Sequence, residues 1–121
     1  MKKLFAVLLL MFPLVTIADF AAGLEAYQRG DYATALREWR PLAEAGNVDA
    51  QNNLGAMNYE GQGVPKDEVR AYAWAMLAFK GGSTDAKAAK EYLQKNLTAA
   101  QIAEANKLSS EICAKIPSCV R

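Results

Sequence analysis

The stretch Leu54–Ala78, LGAMNYEGQGVPKDEVRAYAWAMLA, decides how the rest of the chain is read. Just ahead of it, Ala50 joins Leu54, Gly55 and Tyr59 at spacings near four, which places these residues on one side of a helix. Asp49 stands where an N-cap is expected, its carboxylate free to accept a main-chain N–H two or three residues on. Gly55 falls inside that helix at a cost of roughly 1 kcal/mol relative to alanine, tolerated where another helix must approach closely. Gly61-Gln62-Gly63 ends the helix, because glycine enters the left-handed conformation that closes helix C-termini. Val64-Pro65 keeps the chain extended, since proline disfavours helix in the residue before it. Asp67 then caps a second helix whose inner face reads Ala71, Trp74, Ala75, Ala78. Small residues around one indole describe a close helix pair with the ring filling the gap.

The pattern A-x-x-x-L-G-x-M-x-x-x-G-x-G-V-P-x-D-x-x-x-A-x-x-W-x-x-x-A resembles a Sel1-like repeat, a relative of the tetratricopeptide repeat. It is carried by Ala50, Leu54, Gly55, Met57, Gly61, Gly63, Val64, Pro65, Asp67, Ala71, Trp74 and Ala78. One position departs: that family usually has tyrosine directly after the methionine, and this chain has Asn58, with Tyr59 following. The resemblance implies an all-α fold, a short right-handed α-solenoid of about three helix–loop–helix hairpins.

The flanks are looser versions of the same unit. Gly23 and Tyr27 recur at one fixed offset as Gly55 and Tyr59. Asp31, Ala35 and Gly46 recur as Asp67, Ala71 and Gly82 at a slightly larger offset, which means a longer loop in the second unit. Such a period denotes stacked helical hairpins. Asp31 caps a helix with the inner face Ala35, Leu36, Trp39, Leu42 and Ala43. Pro41 lies inside it and should kink it or cost a hydrogen bond. A third unit starts at Asp85-Ala86, with Ser83 or Thr84 as equal candidates for its cap. Its first helix carries Ala89, Tyr92 and Leu93 and lacks the Leu-Gly signature, as a degenerate end repeat would. Thr98 and Gln101 form a capping box for a last, amphipathic helix that buries Ile102, Ala105, Leu108 and Ile112 and ends the stack. The units span about 20–46, 47–82 and 83–115, followed by a tail, 116–121.

The chain opens with Lys2-Lys3, an apolar run from Leu4 to Val15 and the small-x-small sequence Thr16-Ile17-Ala18. This is the pattern of a secretory signal peptide, residues 1–18, cleaved after Ala18, so the expected location is periplasmic or secreted. The run is shorter than the ~20 residues of a membrane-spanning helix, and no span is expected after cleavage. What remains, 19–121, is one small domain that has lost two of its lysines and turned slightly acidic, which excludes nucleic-acid binding. In an oxidising compartment Cys113 and Cys119 are expected to pair as a disulfide that ties down the tail. Their spacing is not C-x-x-C, no thiolate-stabilising motif surrounds them, and two sulfurs without a histidine make no metal site.

Catalytic chemistry is poorly provided for. The chain has no histidine, hence no Ser-His or Cys-His arrangement, and neither S-x-x-K nor K-T-G occurs. No catalytic residue, cofactor or metal is expected. By similarity to tetratricopeptide repeats, the first helix of each unit lines a concave face for a protein or peptide partner, with Tyr27, Gln28, Asn52, Ala56, Tyr59 and Glu60 towards the groove. Amides and tyrosines suit peptide backbones, but the same two tyrosines could serve only to pack hairpin on hairpin. Two other readings stand beside the adaptor or scaffold role: a cell-wall or β-lactam hydrolase, by analogy with cysteine-rich Sel1-repeat proteins, and a glycan-binding envelope-assembly factor.

Overall fold

The computed structural model describes residues 17–119. Of the expected leader, 1–18, all but the last two residues lie outside them. Six helices fill the described chain, with no strand among the described residues: α1 (Phe20–Gln28), α2 (Tyr32–Glu44), α3 (Val48–Glu60), α4 (Glu68–Lys80), α5 (Thr84–Asn96) and α6 (Ala99–Cys113).

Each helix starts on a side-chain cap, a device worth about 1 kcal/mol apiece. Asp19, Asp31, Asp67 and Ser83 cap α1, α2, α4 and α5, and Thr98 with Gln101 completes the capping box of α6. The cap of α3 differs from the expectation. Asn47, not Asp49, accepts the N–H of Ala50 at 2.9 Å, and Asp49 lies in the first turn. The reason is the preceding turn, in which Gly46 (φ +101°) sends the chain straight into helix at Val48. Asp49 still favours the helix there through its charge near the positive end of the dipole. Gly61 (φ +70°) ends α3 in the left-handed conformation, as read from the sequence. Helix α2 runs through Pro41 to Glu44, so the proline removes one N–H without ending the helix.

Consecutive helices pack in chain order from α1 to α5, and α6 returns to α4. Helix α4 therefore has three neighbours, α3, α5 and α6, and its Ala71, Tyr72, Ala73, Trp74, Ala75, Leu77 and Ala78 are all buried. The last two helices do not form a hairpin of the earlier kind: α5 and α6 each dock on α4 more than on one another. For that reason α5 is poorly covered. Leu93 is buried, but Ala89 and Tyr92 are exposed, Tyr92 by 55%. In α6, Ala105 is buried and Ile102, Leu108 and Ile112 are half-buried.

Two close approaches organise the hairpins. Gly23 of α1 lies beneath the indole of Trp39, whose Nε1 donates to the carbonyl of Phe20 at 3.1 Å. Phe20 and Tyr27 flank the same indole at 5.7 and 5.6 Å between ring centres. At Gly55 a Cβ would sit 3.4 Å from the Ala71 carbonyl and the Trp74 Cβ, so α3 and α4 are close there without being jammed.

The C-terminal segment is more than a tied-down tail. Cys113 and Cys119 are disulfide-bonded, and the loop they close carries Ile116 into the core, where it is 2% exposed. Ile116 and Ser118 cover Gly46 in the α2–α3 turn, whose missing Cβ would otherwise meet both. Beside them the Gln51 amide donates to the carbonyl of Ala43 at 3.1 Å, linking α3 to α2.

Two stability predictions follow from this packing. Gly23→Ala drives a methyl into the Trp39 ring and should cost about 2 kcal/mol, whereas Gly55→Ala should be nearly neutral, its contact offset by better helix propensity. Ile116→Ala should cost about 2–4 kcal/mol as a core truncation, more than a loose tail would give. Urea unfolding of the three variants under oxidising conditions measures both.

Candidate functional site

Of the six groove residues expected from sequence, the structure brings three together. Asn52, Ala56 and Tyr59 of α3 line a pocket of about 230 Å³ that continues over Ala71 and Ala75 of α4 to Ala89, Tyr92 and Leu93 of α5. Its walls are almost entirely apolar, and the two tyrosines stand at its edge. Tyr59 meets Tyr92 edge to face, 6.0 Å between ring centres and 86° between planes, and its hydroxyl donates to the Tyr92 hydroxyl at 3.3 Å. The Lys66 ammonium sits 5.1 Å from the centre of the Tyr59 ring, a cation–π contact.

Tyr27, Gln28 and Glu60 lie elsewhere. Tyr27 is half-buried against Tyr32 and Trp39, and its hydroxyl donates to Gln62 Oε1 at 3.0 Å, which fastens α1 to the α3–α4 loop. Gln28 and Glu60 are exposed and do not line the pocket. The repeat explains why Tyr27 and Tyr59 differ. At the offset that maps Ala35 onto Ala71, Trp39 maps onto Ala75. The indole that covers Tyr27 therefore has a methyl as its counterpart beside Tyr59, and the space left is the pocket. The sequence reading had Ala75 as an inner-face residue and Ala89, Tyr92 and Leu93 only as residues of the third unit's first helix, none of them as walls of this pocket; the signal that could have shown it was the Trp39–Ala75 mismatch.

The signature residues serve the fold. Ala50, Leu54, Ala71, Trp74 and Ala78 are buried, Gly61 and Gly63 adopt positive φ, and Asp67 caps α4 by accepting from the Arg70 N–H at 2.9 Å. Among the described residues, no three Asp, Glu, Cys or His side chains converge in a manner suited to a metal ion.

The hydrogen bond to Tyr92 raises the pKa of Tyr59 above the ordinary tyrosine value, helped by lost hydration and by the negative charges of Glu68 and Glu60. Folding thus holds the Tyr59 proton more tightly than the unfolded chain does. Its contribution to stability is complete below the unfolded tyrosine pKa of about 10 and is lost as pH rises past it.

Scans of protein-family models, of curated proteins and of solved structures found no match to this chain.

Tyr92→Phe removes the acceptor of the Tyr59 hydroxyl and should bring the Tyr59 titration down towards the ordinary tyrosine value. The change is read from the aromatic signals in an alkaline NMR titration, with Tyr72, whose pKa is raised by burial alone, as the control that should not move.

Proposed function

We propose that this chain is an exported Sel1-like repeat module: a short right-handed α-solenoid that captures a protein or peptide partner and acts as an adaptor or scaffold in the bacterial envelope. The observation that carries this reading is the pocket between α3, α4 and α5. It has an apolar floor of small residues and, at its edge, the Asn52 amide and two tyrosine hydroxyls. An apolar side chain entering the pocket leaves its own main chain level with those polar groups, an arrangement suited to an extended peptide.

Export is supported by the leader pattern in the sequence and by the Cys113–Cys119 disulfide. It is also supported by the way α1 begins. Asp19, the first residue after the proposed cleavage, caps the helix with its carboxylate, and its main-chain nitrogen donates to Glu38 Oε2 at 2.8 Å. After cleavage that nitrogen would be an ammonium facing a carboxylate, a charge-assisted bond in place of a neutral one.

The test compares two single variants of the oxidised chain Asp19–Arg121 in capture from an envelope extract. Tyr59→Ala should lose the partner with little change in melting temperature. Tyr27→Ala should cost about 2 kcal/mol of stability through lost packing on Trp39 and, at a temperature where it is folded, should keep the partner. Equal loss of stability and capture in Tyr59→Ala would reduce both tyrosines to packing. Absence of any captured protein, with retention on isolated peptidoglycan, would move the reading to a glycan ligand.

A further inference from the structure

A further concavity lies on a different side of α3 from the Tyr59 pocket and does not depend on it. A cavity of about 520 Å³ is bounded by Leu54 and Asn58 of α3, by Leu36, Arg40 and Glu44 of α2, and by Arg70 and Trp74 of α4. A second, of about 450 Å³, shares Glu44, Arg70 and Trp74 with it and extends to Glu111 and Lys115 of α6. The two form one cleft with those shared residues at its waist.

Two of its wall residues are nearly buried polar groups with unused hydrogen-bonding capacity. Trp74 is 5% exposed, yet its indole N–H makes no hydrogen bond among the described residues, in contrast to Trp39, whose N–H reaches the Phe20 carbonyl. Buried indoles ordinarily find a partner. Asn58 is also 5% exposed. Its Nδ2 donates to the Leu54 carbonyl at 2.8 Å, while its Oδ1 accepts nothing among the described residues. Neither atom is sealed from solvent, since the one fully enclosed side-chain atom without a partner among the described residues is Gln51 Oε1. Both residues border this cleft, which leaves a donor and an acceptor without protein partners at its wall, open to solvent or to a ligand.

The charges around the wall complete the chemistry. The ion pairs among the described residues are Lys66 with Glu68 and a loose 3.9 Å contact of Arg70 with Asp67. Arg40 and Glu44, one helical turn apart on α2, are committed to neither. One donor, one acceptor, a free cation and a free anion around a single cleft match one peptide unit carrying a free ammonium and a free carboxylate. We infer that the cleft at Asn58 and Trp74 binds a short zwitterionic peptide. The peptide carbonyl accepts from the Trp74 indole, its N–H donates to Asn58 Oδ1, its carboxylate lies against Arg40, and its ammonium against Glu44.

The indole N–H resonances offer a direct readout, because the chain has two tryptophans. Titration of the oxidised protein with alanyl-alanine should move the Trp74 indole signal and leave that of Trp39 in place, with the signals assigned through Trp74→Phe. Acetylating the amine or amidating the carboxylate of the probe should weaken binding about tenfold each, the loss of one charge-assisted contact. Asn58→Tyr should abolish the shift, and Arg40→Ala, an exposed change that leaves the melting temperature in place, should weaken it and serves should the tyrosine variant fail to fold. No movement of the Trp74 signal at millimolar probe, an equal shift in Asn58→Tyr or in Arg40→Ala, or indifference to both caps would overturn the assignment.

Discussion

Helix α4 has no free side over most of its length, and the rest of the molecule is arranged to satisfy that. Its alanines at 71, 73, 75 and 78 admit three neighbours, and its large residues point into separate regions of core. Trp74 and Leu77 join the cluster built on Trp39, Leu54 and Met57, whereas Tyr72 joins Leu93, Leu97 and Ala105. An apolar circumference of this sort is stable only inside a protein. The chain places α3 before it and α5 and α6 after it, so that sequence neighbours supply most of the cover. The resulting contacts are largely local, the condition under which small helical proteins fold fast.

Within that frame the two glycine approaches are not equivalent. At Gly23 the absent side chain is replaced by an indole seated face-on, and two further rings close around it. At Gly55 the partner is a helix backbone, and the tryptophan nearby presents its Cβ rather than its ring. A sequence pattern records both as glycine facing tryptophan. The first arrangement fills its hairpin and immobilises Tyr27. The second leaves Tyr59 with alanine beside it, and so one hairpin is dense where the next is hollow.

What the sequence disclosed was what is decided locally. The starts of α2, α4 and α6 were legible because a capping side chain acts on N–H groups two or three residues away, that of α5 was narrowed to Ser83 or Thr84, and Gly61 was legible because its left-handed turn is a property of the residue itself. The start of α3 was misplaced by two residues, since Asn47 and Asp49 are both competent caps and only the turn at Gly46 chooses between them. The inner faces of α2 and α4 followed from helical period. The burial of α5 did not, because period shows which side of a helix is apolar but not whether another element covers it. Half of the groove residues came together for the same reason: Asn52, Ala56 and Tyr59 share a face of α3 by spacing alone, whereas the fate of Tyr27 was set by Trp39 in the neighbouring helix.

The loop between the two cysteines gives the molecule a property that its mostly sequential packing would not. Its Ile116 and Ser118 rest on Gly46, so residues near the C-terminus of the chain cover a turn in its first half. While the chain is being synthesised, that turn stays uncovered until the segment through Ser118 has emerged. The last patch of core then closes across a long span of sequence, a contact with a high entropic cost that the disulfide's short ring lowers. A product shortened by even its last half-dozen described residues would have all six helices and still lack a finished core.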